Sequence, residues 1–356
     1  MKVAINTTPL KTAHRDRGIG YYTRNLLKLL KSDNSIEVQE FTKLSELKDV
    51  DVVHYPWFDF FFHSLPIVKS FPTVVTMHDA VPLIFRKHYP TGLKAKFNLN
   101  LQKLALRSCK HILTDSITSK NDIINFLKIK KEKISVIYLA ANKDFKTLSD
   151  ASLTHIKRKY NLPNQFLLYV GDANWVKNLP FLIEGFNEIV KTPNLKGLKL
   201  VLIGGVFLKK VENINHPELE SLKTVNRLID KLKLENEVIR PGNLEKEELV
   251  GFYNLATVYI QPSLYEGFGL PILEAFSCGT PVICSNRGSL PEVAGDAAVF
   301  FDPTNINQFE SIVTEILSSK SLQAKLSKLG LRQAENFSWH KVIEETKKIY
   351  AKVSMR

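Results

Sequence analysis

Short apolar runs alternate with longer amphipathic stretches along almost the whole chain, and this alternation limits the fold more than any other feature. "KVAIN" (2–6), "DVDVVHYP" (49–56), "PTVVTMHD" (72–79), "KHILTDS" (110–116) and "KISVIYLA" (133–140) read as buried strands. Between them, 18–32 carries Tyr22, Leu26, Leu29 and Leu30 at helical spacing, and 93–111 carries Leu93, Phe97, Leu101, Leu104 and Leu106. The pattern breaks in a polar, lysine-rich stretch, 141–165, and then restarts with strands at 166–172, 198–205, 237–243, 257–263 and 281–286 and helices between them. Continuous apolar strands separated by helices imply a parallel sheet covered on both faces. The fold class expected is α/β, with two doubly wound Rossmann-like domains, one over 1–150 and one over 160–335. The 356 residues also exceed what one hydrophobic core usually serves.

Composition removes several alternatives. No apolar run is long enough to span a membrane, and the N-terminus reads as a strand without the apolar core of a signal peptide. The three cysteines lack metal or disulfide spacing, so reduced thiols and a cytoplasmic location are expected. Residues 1–150 hold 24 Lys and Arg against 14 Asp and Glu, which points to an acidic partner for the first half. From Ala80 to Thr114 there are seven cations and no acid. The basic stretch 86–110 is therefore either an ordinary surface helix or a face for an anionic membrane. No base-reading motif is present, so nucleic acid is not an expected partner.

In doubly wound sheets, ligands bind beyond the carboxyl ends of the strands. "SLYEGFGLPILEAF" (263–276) is such a place: strand, glycine turn, then helix. Gly269, Leu270, Pro271 and Ile272 open the helix, where free amides and the dipole favour an anion. Glu266 and Glu274 bracket that turn. A carboxylate is repelled by phosphate but accepts hydrogen bonds from hydroxyls, so the pair matches a nucleoside diphosphate sugar, with hydroxyls at both ends and charge in the middle. The plainer reading makes Glu274 a first-turn carboxylate favoured by the helix dipole and Glu266 a solvated loop residue. Local physics does not separate the two.

"EGFGLPILEAFSCGTPVICSNRGSLPEVAGDAAVFFDP" (266–303) resembles the signature of retaining GT-B glycosyltransferases of glycosyltransferase family 4, which includes mannosyl- and rhamnosyltransferases. "RGIGYYTRNLL" (17–27), "TMHD" (76–79), "KNLPFLIEGF" (177–186) and "FSWHKVIEETKKIY" (337–350) resemble further motifs of that family, in its order. The resemblance implies two domains facing across a cleft, with helix 337–353 packed back on the first. It implies a metal-independent hexosyltransferase with no cofactor, whose donor is a nucleoside diphosphate sugar, GDP-mannose favoured. The acceptor would be a glycan or a lipid-linked glycan, in polysaccharide or glycolipid synthesis, with the protein cytoplasmic or peripheral on the inner membrane face.

The same resemblance gives Glu266, Lys177 and His78 the catalytic roles. Glu266 orients the sugar, Lys177 neutralises the leaving phosphate, and His78 lies beside the sugar, with Asp79 behind it. Glu274 holds the ribose. Gly18 and Gly20 either bring amides to the donor or acceptor or simply allow a strand–helix turn. Arg17, Tyr55 and Trp57, with His54, are candidates for the acceptor side. The aromatic run 57–62 is either core or a surface for a sugar ring or acyl chain. "DVD" (49–51) precedes a strand and reads as structural, so no metal ligands are expected. One departure stands out: the family places an arginine where this chain has Asp172, and Arg240 and Arg287 have no evident place. The transferase is the reading adopted; that departure is the best support for one alternative, a non-catalytic sugar-nucleotide or glycan binder, and a GT-B epimerase is another.

Overall fold

The computed structural model describes residues 1–354 apart from 13, 16, 213 and 215. The chain divides into two compact units, Met1–Leu139 with Trp339–Arg356, and Ala140–Ser338.

The first unit holds β1 (Lys2–Asn6), β2 (Glu37–Phe41), β3 (Val52–Tyr55), β4 (Thr73–Thr76), β5 (His111–Thr114) and β6 (Ile134–Val136), all parallel, in the order β2-β1-β3-β4-β5-β6. The order reverses between β1 and β3, which is where such sheets open a crevice. β2, "EVQEF", is an edge strand with partly exposed polar residues, so no apolar run announces it. Asp51 of "DVD" accepts from the Lys2 amide at 2.8 Å and fixes the start of β1, a structural role.

A buried polar chain ties the closing helix Trp339–Ser354 to this sheet. The Tyr350 hydroxyl meets His54 Nδ1 at 2.6 Å, His54 Nε2 meets Thr76 Oγ1 at 2.8 Å, and Thr76 meets the Tyr22 hydroxyl at 3.1 Å. Burial, with repulsion from His78, pushes the His54 pKa down to about 3, so its ring is neutral at physiological pH. His54 is fully buried and lines no acceptor surface, contrary to its strand-end position in the sequence.

The second unit holds β7 (Phe166–Val170), β8 (Lys199–Ile203), β9 (Val238–Gly242), β10 (Val258–Gln261), β11 (Val282–Ser285) and β12 (Ala298–Phe301), also parallel, in the order β12-β11-β10-β7-β8-β9. Its order reverses between β7 and β10. Leu167, Leu200, Leu202, Val258 and Ile260 enter one apolar core with helix Leu179–Val190. The polar stretch 141–165 is part of this unit. Asp144 pairs with Lys246 at 2.5 Å, Leu148 donates to Asn254 at 2.8 Å, and Phe145 stands edge-on to Tyr253. It also carries a helix, Asp150–Lys159, which lysine-rich composition conceals.

Candidate functional site

In the second unit, Lys177 and Glu266 meet at the point where the strand order reverses. Lys177 ends a single turn after β7, and Glu266 lies in the loop after β10. The Glu266 carboxylate accepts from Lys177 Nζ at 2.8 and 3.0 Å, from Ser263 Oγ at 2.6 Å and from Gln261 Nε2 at 2.7 Å. Its backbone is held as well. Ser289 Oγ donates to the Glu266 carbonyl at 2.9 Å, and at Gly288 (φ +59°) a Cβ would lie 2.8 Å from Glu266 backbone atoms, so the turn there requires glycine. Asn178, left-handed at φ 56°, donates to the carbonyls of Pro262 and Pro303 and locks the lysine turn onto the loops after β10 and β12. Glu266 is thus a largely buried, four-times-bonded carboxylate, not a solvated loop residue.

Helix Leu270–Ser277 starts after Gly269, which sits at φ 101° with no side-chain cap. Pro271 has no amide proton, and the Ile272 amide donates to the Gly269 carbonyl at 3.0 Å. Among the described residues, the Gly269 and Leu270 amides donate to no backbone acceptor.

Glu274 lies beyond the first turn and is buried, which replaces the dipole reading made from its sequence position. The Tyr253 hydroxyl donates to its Oε2 at 2.9 Å. Burial pushes its pKa up to about 7, against the opposing effect of that hydrogen bond. At neutral pH the carboxyl is poised between its two forms, and hydroxyl donors arriving at it would favour the ionised one.

Among the described residues, neither Arg240 nor Arg287 bonds Lys177 or Glu266. Asp172 accepts from the Asn174 amide and, through its carbonyl, from the Tyr169 hydroxyl. Arg240 donates to Asn226, and Arg287 pairs with Asp302.

In the first unit, His78 Nδ1 meets Asp115 Oδ2 at 2.6 Å and Nε2 meets the Pro56 carbonyl at 3.2 Å. Both partners are acceptors, so the doubly protonated ring fits best. Burial lowers the His78 pKa, but Asp115 and Asp79 together outweigh it and the net shift is upward. Asp79 accepts from the Val81 amide. The Gly20 amide donates to the His14 carbonyl, and a Cβ at Gly20 would lie 2.2 Å from the Arg15 carbonyl. Close packing therefore explains Gly20, while Gly18 has open space around it. Arg17 precedes helix Gly18–Lys31 and is exposed.

A pocket of about 560 Å³ opens at the carboxyl ends of β1 and β3, lined by Asn6, Thr8, Thr42, Tyr55, Trp57 and His63 among others. The Trp57 indole nitrogen is buried and has no hydrogen-bond partner among the described residues. The aromatic run beside it divides. Phe60 is core, Phe58 and Phe61 pack on the core, and Phe62 is exposed.

Sequence reasoning missed Gln261, Ser263, Asn178, Ser289, Tyr253 and Asp115. Gln261 left a signal, a polar residue in an otherwise apolar central strand. Asp115 follows β5 as His78 follows β4, and only the pairing of those strands brings them together.

Residues 153–333 match the family model described as glycosyl transferases group 1, and residues 11–145 match that of glycosyltransferase family 4. The chain is 31% identical over 278 residues to the O-antigen chain mannosyltransferase B of Escherichia coli, covering 78% of this chain and 69% of that protein. It is 30% identical over 272 residues to the serotype-specific mannosyltransferase WbdA of Escherichia coli, spanning 75% of this chain but only 32% of that longer protein. Among solved structures, the Anabaena HepE complex with UDP-glucose is similar over 99% of this chain and all of that one, with a TM-score of 0.76 and 16% identity. The fold is GT-B.

Proposed function

The chain belongs to glycosyltransferase family 4, and from that premise we propose that it transfers a hexosyl group, mannose favoured, from a nucleoside diphosphate sugar to a glycan or lipid-linked acceptor with retention of configuration. The observation that carries this reading is Glu266, pinned between Lys177 and two side chains of the β10 segment where the sheet order reverses. GDP-mannose is the favoured donor because the relatives named above are mannosyltransferases. HepE was solved with UDP-glucose, which supports a nucleotide-sugar donor for this fold.

Lys177 and the Gly269 and Leu270 amides would stabilise the diphosphate as the bond to the anomeric carbon breaks, an electrostatic task. Glu266 would orient the sugar while positive charge develops on that carbon, and Glu274 would accept from the ribose hydroxyls. The acceptor hydroxyl would attack from the side the phosphate leaves, with a phosphate oxygen taking its proton. His78 would contribute to sugar binding, and no metal or cofactor enters the scheme.

The pocket beside β1 and β3 is the proposed acceptor site. Trp57 and Tyr55 give it an aromatic wall on which a sugar ring could pack. Helix Leu93–Arg107 buries Ala105 and Leu106 in the core but is apolar on part of its outer face as well. Asn98 and Gln102 face inward and bond Phe61 and Leu65, while Leu93, Phe97 and Leu104 face out among Lys94, Lys96 and Arg107. An anionic membrane surface fits that face.

The test is turnover with GDP, UDP, dTDP and ADP sugars, alongside thermal shifts with the same ligands. One donor class should be turned over by the wild type and not by Glu266→Gln. A shift without turnover in any acceptor or hydrolysis assay would favour the non-catalytic binder that Asp172 suggests.

A further inference from the structure

We propose that Gln261, backed by Tyr259, is a positioning residue that holds Glu266 independently of Lys177. The functional half of this inference rests on the transferase reading above, and the geometric half does not.

Side chains alternate along a strand, so Tyr259 and Gln261 share one face of β10 while Val258 and Ile260 enter the apolar core on the other. Ser263 follows two residues on. All three polar side chains are buried. The Tyr259 hydroxyl donates to Gln261 Oε1. Gln261 Nε2 donates to Ser263 Oγ at 2.7 Å and to Glu266 Oε1 at 2.7 Å, and Ser263 Oγ donates to the same oxygen at 2.6 Å. The amide cannot be turned round, because its oxygen would then face a carboxylate oxygen at hydrogen-bond distance.

A buried amide in a central strand is tolerated only when its hydrogen bonds are made, and an apolar residue would fill the space with less risk. Here every bond of the column runs toward one carboxylate. The consequence concerns Lys177. A lysine that pairs with Glu266 and must also meet a departing diphosphate would drag an otherwise loose carboxylate with it. Gln261 and Ser263 anchor Glu266 from the strand side, so the lysine can turn to phosphate while the carboxylate stays with the sugar.

The decisive variant is the double substitution Tyr259→Phe with Gln261→Met, which removes both polar partners while keeping the volume. Its melting temperature should stay within a few degrees of wild type, its kcat should fall about tenfold, and its donor KM should change little. A crystal structure should show the Glu266 carboxylate displaced from the place it holds against residue 261 in the wild type, with Ser263 its remaining strand-side partner. Gln261→Glu supplies a second readout. Two carboxyls at this distance share one proton, so its activity should be regained as pH falls and lost as pH rises, a profile wild type lacks. The proposal is overturned if Glu266 keeps its place in the double variant, or if that variant's kcat stays within twofold of wild type. If wild type turns over no donor, the transferase reading fails, and the crystallographic result still decides the positioning.

Discussion

The two units answer the same topological opportunity differently. Each is a six-stranded parallel sheet with one reversal of strand order. In the second unit the reversal is filled with charge. Lys177 and Glu266 sit there in fixed positions with almost every hydrogen bond made. In the first unit the reversal between β1 and β3 is a pocket of about 560 Å³, lined partly by polar and aromatic side chains such as Thr42, Tyr55 and Trp57 and partly by Leu44, Leu65, Pro66, Ile67 and Val68. A site that must stabilise developing charge gains from having its groups locked beforehand, whereas one that only receives a ligand gains from room.

That contrast can be broken by experiment. Glu266→Gln should lower kcat by roughly 10²–10³-fold while leaving nucleotide binding intact by thermal shift. If nucleotide binding collapses as well, the second unit's site is not organised around the sugar.

Glu274→Gln tests the other locked carboxylate. Because the folded-state pKa is raised to about 7, the neutral form is the stabilising one. Its stability is fully present below about 4.5 and is lost as pH rises through about 7, by up to roughly 3 kcal/mol. Glutamine has no proton to lose, so the variant should melt several degrees higher than wild type at pH 8 and nearly equally at pH 4. Equal melting at both pH values would mean Glu274 reaches water.

Trp57→Ala should raise the acceptor KM about tenfold and leave donor hydrolysis unchanged, as steady-state assays of both reactions would show. A loss of donor hydrolysis would place the pocket in the donor's path instead. The smallest effect is expected at Asp115→Asn. With Asp115 neutralised, the burial that opposes the charged ring loses its main counterweight, and the His78 titration followed by NMR should move to lower pH.

The fold and the charged site were legible in the sequence for one reason. Both depend on local pattern: apolar runs for strands, and a glycine turn with carboxylates at fixed spacing for the loop. The edge strand β2 was not legible because its side chains are only half covered, so it never needed to be apolar. The partners of the named residues were hidden for a different reason. Asp115 and Tyr253 reach His78 and Glu274 through strand pairing and helix packing, which spacing along the chain does not encode. Asn178 and Ser289 act mainly on backbone carbonyls, and their residue type alone does not reveal that.

The bond between Tyr350 and His54 joins residues 296 positions apart in a unit that otherwise ends at Leu139. At typical rates of about 5–20 residues per second, roughly 10–40 s separate the synthesis of residue 139 from that of residue 350. During that interval the polar side chains of β3 and β4 wait without the helix that covers them, while the uninterrupted second unit is made whole. The order of completion is therefore the reverse of the order of synthesis: the first unit begun is the last finished. A nascent chain of this design leaves the part of its first sheet that the closing helix covers open to water for most of the time it is being made.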